Sequence, residues 1–289
     1  LLSFIIAIPI FLYEAGGFSG MATSFASMGK SSHMEFWGVY STLDIINFCL
    51  PPFLLIMGDA NMYQRFFASK DAKGAKSATK ILIIAVAMAE LMIITAAWIS
   101  SSMIPDAEVG KYVLIYASHK FLPTFIGAIM MTTIVGIIIS TADSFLLVPA
   151  TTLMRDIYLN YINPKANEKK IVFLSRVLVL ILGIFAYIVS LGFARSAGFF
   201  ERALYAYTIY GASITPSLVA ALFWKGATKA GAVSSIITGA VTTLLWKEAE
   251  FIKNIIPSNI YNNMDEVLPA ITFSIISLIL VSLITKEKN

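Results

Sequence analysis

The sequence predicts an all-α integral membrane protein, and three observations carry that prediction. Only 13% of the 289 residues are charged, against roughly 25% in an ordinary soluble domain. The hydrophobic share is 58%, and mean hydropathy is +0.80. The apolar residues also fall in runs near the ~20 that a helix needs to cross the hydrocarbon layer. Reading between the charge clusters gives Phe36–Met57, Ala78–Met103, Phe121–Leu147, Ile171–Phe193, Ala203–Trp224, Lys229–Trp246 and Val267–Thr285 as full spans. Leu1–Tyr13 is apolar from its first residue, without an initiator Met or a cleavage pattern, and is expected to be the tail of a further span. Residues 1–289 are thus expected to form a single transmembrane domain, N-terminally truncated.

The net charge of +4 raises nucleic acid as a partner, so its distribution matters. Assigning loops alternately to the two sides of a membrane puts fourteen of the 21 basic residues on one side, among them Arg65, Lys76, Arg155, Lys170, Lys225 and Lys286. Seven fall on the other, including Lys30, Lys120, Arg195 and Lys247. The positive-inside rule makes the richer side cytoplasmic and places the C-terminus there, in a plasma membrane protein. The basic charge is then topological. The expected partners are the lipid bilayer, a small-molecule solute and a cation, with no nucleic acid. Cys49 is the single cysteine, so an intrachain disulfide is excluded. Its place in an apolar run predicts a buried packing residue. His33 and His119 are too far apart in sequence for a recognisable ligand motif and read as surface or interfacial residues.

Polar residues inside the apolar runs are the candidate site. Pro51 and Pro52 remove two donors and free the carbonyls of Asn47 and Phe48. Two readings follow: a simple kink, or a discontinuous helix lining a solute site near the midplane. Asp44 and Asn47 share a face upstream of the prolines. Asp44 reads as an outer-interface residue or a binding residue, and Asp59 as a cap or charge partner at the cytoplasmic end. Glu90 occupies the middle of Ile81–Ile99, where an acid costs roughly 2.5–3.5 kcal/mol or more. It reads as a solute or proton contact, or as a buried acid bonded to a neighbouring helix.

The run GIIISTADSFLL places Ser140, Asp143 and Ser144 at i, i+3 and i+4 on one oxygen-rich helical face, with Thr141 beside it. Hydroxyl and carboxylate oxygens suit a small hard cation. Pro149 frees the carbonyl of Phe145 and is expected to loosen the helix beyond the cluster.

Ser140-Thr141-Ala142-Asp143-Ser144, followed by Arg155-Asp156-Ile157-Tyr158, resembles the sodium:solute symporter family of sugar, proline, sialic acid and pantothenate carriers. Tyr63-Gln64-Arg65-Phe66-Phe67-Ala68-Ser69-Lys70 is similar to that family's segment after its broken sixth core helix. Phe223 to Ala232 is similar to its loop after the tenth. The resemblance implies part of a five-plus-five inverted-repeat core, entered within the fifth core helix, with two further helices after it. It also implies a coupling sodium ion held by Ser140, Thr141 and the carbonyl of Ile137, with Asp143 and Ser144 at the positions of a second cation site. Asp143 departs from the all-hydroxyl form of that second site. Pro51 and Pro52 then map to the unwound part of the sixth core helix. A substrate-contacting basic residue of the sugar carriers maps to Val86, one turn from Glu90, which argues against a sugar site. Tyr207 and Tyr210 line an outer path or pack as ordinary aromatics.

The function this implies is sodium-coupled secondary active symport of a small polar or organic solute. A proton-coupled carrier using Glu90 or Asp143 is the nearer alternative, and a transporter-like module of a sensor protein the other. No nucleophile–base pair, metal motif or phosphate loop points to an enzyme.

Overall fold

The computed structural model describes residues 1–105, 109–194, 198–261 and 263–285. Arg195, Lys286 and Lys288, which entered the charge count above, lie outside them. The described residues form helices α1 (Leu2–Glu14), α2 (Gly17–Ser27), α3 (Thr42–Gly58), α4 (Ala60–Phe67), α5 (Ala72–Ser102), α6 (Val113–Phe121) and α7 (Thr124–Thr152). They continue with α8 (Glu168–Ala194), α9 (Phe199–Phe223), α10 (Lys229–Glu248), α11 (Glu250–Ile255), α12 (Ser258–Tyr261) and α13 (Val267–Thr285), and no strand occurs among them. Six helical stretches among the described residues are long and apolar enough to cross a membrane, and the α1–α2 pair, bent by 64°, forms a broken span or a re-entrant loop. The chain is a multi-pass membrane protein.

Local chemistry moves several span boundaries away from the ends of the apolar runs. The expected Phe36 start gives way to Thr42, because Ser41 and Asp44 close a capping box. Ser41 Oγ accepts from the Asp44 N–H at 3.2 Å and Asp44 Oδ2 accepts from the Ser41 N–H at 2.8 Å. α5 starts at Ala72 because Asp71 accepts from the Gly74 N–H at 2.6 Å. The expected tail Leu1–Tyr13 proves to be the first arm of the bent pair. Gly16 turns the chain between the arms at φ 74°, a conformation costly for a side chain bearing Cβ.

The Pro51–Pro52 pair does not break its helix: α3 runs through both prolines to Gly58. A proline φ is already helical, and a membrane helix tolerates the missing donors where neighbouring groups re-satisfy the freed carbonyls. The break falls at Asp59, whose backbone is extended and whose Oδ1 accepts from the Asn61 N–H at 2.9 Å, starting α4. Asp59 is thus a cap, one of the two roles expected of it. Cys49 is exposed, not buried, because the face of α3 that packs carries Asn47, Pro51, Leu54 and Gly58 instead.

The chain divides into two compact units. The first comprises residues 1–39 and 65–183. Here α1 lies against α5 and also touches α6 and α7, with Phe4, Phe11, Met21, Phe25, Ile99 and Met130 at its core. His33 is exposed, its ring tilted against that of Phe25 with centroids 5.2 Å apart, and its carbonyl accepts from Trp98 Nε1. Long apolar side chains on the remaining faces of α5, α7 and α8 are exposed, the pattern of helices solvated by lipid or by further protein.

The second unit comprises residues 40–64 and 184–289, with α9 packed between α3, α10 and α13. α3 and α9 approach closely. A Cβ on Gly211 would lie 2.7 Å from Leu54 Cβ, and Thr215 Oγ1 donates to the Leu54 carbonyl at 2.6 Å. Tyr210 donates to the Gly58 carbonyl at 3.3 Å, so it packs onto α3. α10 buries a stripe of small residues, Gly231, Ser235, Gly239 and Thr243, and hydroxyls tie it to α13. Ser235 and Ser274 lie 2.8 Å apart, Thr228 and Thr285 2.7 Å apart, and Ser234 also bonds Ser277. Small residues and interhelical hydroxyl bonds are the usual adhesive between membrane helices. They also explain why Lys229–Trp246, expected as a span, is not among the six helices long and apolar enough to cross a membrane. Its buried face is made of glycine and hydroxyl side chains in place of large aliphatics.

Candidate functional site

The residues singled out by sequence divide between the two units. Ile137, Ser140, Thr141, Asp143, Ser144, Val86 and Glu90 belong to the first, and Asn47, Pro51 and Pro52 to the second.

In the first unit, α7 is a regular helix through Ser140–Ser144, so the oxygen-rich face forms as expected. Thr141 Oγ1 donates to the Ile137 carbonyl at 3.0 Å, and Ser144 Oγ donates to the Ser140 carbonyl at 3.2 Å. A hydroxyl that donates backwards along its helix leaves its own lone pairs pointing outward, free for a cation. Ser140 Oγ and the Asp143 carboxylate make no hydrogen bond or ion pair among the described residues. Ser140, Thr141 and Asp143 are all exposed among the described residues. Ser144 is half-buried and also accepts from Arg65 Nη2 at 3.4 Å, which ties Arg65 to the cluster. The donor set is hard and oxygen-only, suited to sodium and unsuited to a transition metal. Beyond Pro149 the chain passes into a π-helical stretch, Leu153–Ile162, that carries Arg155 and Asp156. α7 stays α-helical through Phe145 and Pro149, where loosening was expected, and the wider turn begins only four residues after the proline. On α5, Val86 and Glu90 lie one turn apart and both are exposed.

In the second unit, Asn47 and Pro51 share the buried face of α3, and Pro52 is half-buried. Asn47 is 4% exposed, and its Nδ2 donates to the Asn263 carbonyl at 3.2 Å. It borders a cavity of about 290 Å³ that is also lined by Asp44, Glu201, Lys247, Asp265 and Glu266. Glu266 pairs with Lys247 at 3.8 Å, an ion pair too long for a hydrogen bond. Burial pushes the carboxyls of Asp265 and Glu266 above their ordinary values, and the Lys247 ammonium pulls both part of the way back. Apart from Asp44 and Asn47, none of these residues stood out in the sequence. The signal was there for one of them: Glu266 immediately precedes the long apolar run of α13, where an acid needs a partner. A larger cavity of about 650 Å³ lies between α3, α9 and α13, but its lining is almost wholly aliphatic and aromatic. Its one side-chain hydroxyl, that of Thr215, is already committed to Leu54, which leaves the Trp224 indole as the polar side chain of its lining.

Long apolar helices, a hydroxyl-rich face inside one of them and buried polar groups in another define the class as a multi-pass helical membrane protein. The chain belongs to the sodium:solute symporter family, whose model matches residues 1–239. It is 28% identical over 240 residues to the osmoregulated proline transporter OpuE of Bacillus subtilis, a match covering 80% of this chain and 46% of that protein. It is 26% identical over 178 residues to the sodium/proline symporter of Haemophilus influenzae, covering 61% and 34%. A 27% identical match to the sodium/proline symporter of Staphylococcus aureus covers 80% and 46%. The chain thus spans about half the length, or less, of these relatives.

Proposed function

We propose that the protein containing this chain is a sodium-coupled symporter of a small polar solute, with an amino acid such as proline as the first candidate. The observation that carries this is the Ser140–Thr141 pair, two adjacent exposed hydroxyls on one helix, of which that of Thr141 donates back to the Ile137 carbonyl and that of Ser140 makes no hydrogen bond among the described residues. The similarity to proline carriers of Bacillus subtilis and Haemophilus influenzae supports the solute class.

In this reading Ser140, Thr141 and the carbonyl of Ile137 contribute to the sodium site, and Asp143 and Ser144 to a second cation position. Val86 and Glu90 on α5, and Asn47, Pro51 and Pro52 on α3, face the solute. The helices belong to a single inverted-repeat core in the plasma membrane, with the C-terminus in the cytoplasm. Sodium couples to the solute by binding one conformation better than the other. A charge moving inward through 100 mV supplies about 2.3 kcal/mol before any concentration gradient is counted.

The test is solute uptake by the full-length protein in proteoliposomes, with and without a sodium gradient. Ser140→Ala and Thr141→Ala should each raise the sodium concentration for half-maximal uptake by roughly tenfold, equivalent to about 1.4 kcal/mol of lost cation binding. Unchanged sodium dependence in both variants overturns the site. Uptake driven by a pH gradient without sodium would select proton coupling instead.

A further inference from the structure

The cavity beside Asn47 has an acceptor with nothing to accept from. Asn47 Nδ2 is committed to the Asn263 carbonyl, which can only accept, so the end of the amide turned that way must be the NH₂. The other end, Oδ1, is buried and has no hydrogen-bond partner among the described residues. A buried acceptor left unmet costs about 1–3 kcal/mol. Such an atom persists where a ligand completes it.

The surroundings specify the ligand's charge. Asp44, Glu201, Asp265 and Glu266 bring four carboxyl groups to the cavity wall against the single ammonium of Lys247. Asp44 already receives two bonds from Ser41, but through Oδ2 alone. Among the described residues no three His, Cys, Asp or Glu side chains converge closely enough to hold a metal ion. The carboxyls ring the space instead of meeting at a point. A cavity of about 290 Å³ is also roomy for a bare ion and lies at the lower end of the ~300–1,000 Å³ range of small-molecule sites. Its walls come from the first turns of α3 and α9, the last turn of α10 and the residues just before α13, so it opens at the helix ends and not at mid-depth.

We propose that this cavity binds a small organic ammonium ion, one N–H donating to Asn47 Oδ1 and the surrounding carboxylates supplying the countercharge. The ion is either the ammonium head of the transported solute or a free amine. The assignment deepens the solute-facing role given to Asn47 and rests on that role, but not on sodium coupling.

The experiment is calorimetric titration of the purified full-length protein with pyrrolidine hydrochloride in sodium-free potassium chloride at neutral pH. Saturable binding is expected, and tetramethylammonium, which has no N–H, should bind at least tenfold more weakly. Asn47→Leu should weaken pyrrolidinium binding at least tenfold, and so should the near-isosteric pair Asp265→Asn with Glu266→Gln, which decides the matter if Asn47→Leu fails to fold. Absence of saturable binding, or equal affinity in the wild type and the Asp265→Asn/Glu266→Gln protein, overturns the proposal. L-Proline that displaces pyrrolidinium identifies the solute's own head as the ligand, whereas pyrrolidinium binding unaffected by proline identifies a free amine. A protein that shows sodium-driven uptake yet binds no pyrrolidinium loses this site and keeps its symport. One that binds pyrrolidinium without sodium-driven uptake keeps the site and loses the symport reading.

Discussion

At the scale of single residues, the two polar clusters are built on opposite principles. On α7 the hydroxyls of Thr141 and Ser144 satisfy their own helix first and offer lone pairs second, so the cluster is stable without a ligand. At the mouth of the second unit, Glu266 is 5% exposed and held by one ion pair, and its carboxyl is pushed up by burial. A carboxyl raised in the folded state contributes stability that is fully present below its unfolded value, about 4.3. That contribution is lost as pH rises through the raised value. The thermal midpoint of the purified full-length protein should therefore fall as pH is raised from about 4 through the raised range, and Glu266→Gln should flatten that slope. An identical slope in the variant would remove Glu266 from the account. Lys247→Met should steepen the fall, because it removes the charge that partly offsets burial.

At the scale of helices, association depends on how closely backbones approach, since lipid is as apolar as leucine and gives packed helices no hydrophobic advantage over solvated ones. α3 meets α9 at Gly211, where an added Cβ would sit within 2.9 Å of the Leu54 and Leu55 backbone. Gly211→Val should destabilise the second unit by about 1–3 kcal/mol, the range for overpacking a tight interface. A chemical-denaturation series in detergent measures it, and a loss within 0.3 kcal/mol or so would mean that the two helices separate freely. Ser41→Ala makes a gentler probe, with an expected loss of about 1 kcal/mol through the α3 cap. The Ser41–Asp44 cap has a local signature that the reading of Phe36 as the start and of Asp44 as an interface or binding residue passed over, whereas the Gly211 contact has none. A glycine in an apolar run does not reveal which helix will lie against it.

At the scale of the whole molecule, the bias of basic residues predicts which loops meet the cytoplasm. In the full-length protein with Cys49 replaced by Ser, a cysteine at Lys76 should resist a membrane-impermeant maleimide added to intact cells, and a cysteine at Lys30 should react. The reverse pattern would invert the orientation. The sequence by itself determined the helical membrane class, the oxygen-rich face at Ser140–Ser144 and, through its motifs, membership of the sodium:solute symporter family. Each is a property of residues near one another along the chain: apolar run length, the 100° step of a helix, the order of short segments. Only the tertiary structure decided that α3 runs through Pro51 and Pro52, that Cys49 is exposed, and that Asn47 joins Asp265 and Glu266 around one cavity. The prolines freed carbonyls but did not fix whether the chain would bend, because neighbouring helices can re-satisfy those groups. Asn47 and Asn263 are 216 residues apart along the chain. No local rule links them, and their meeting follows from how α3, α9 and α13 pack.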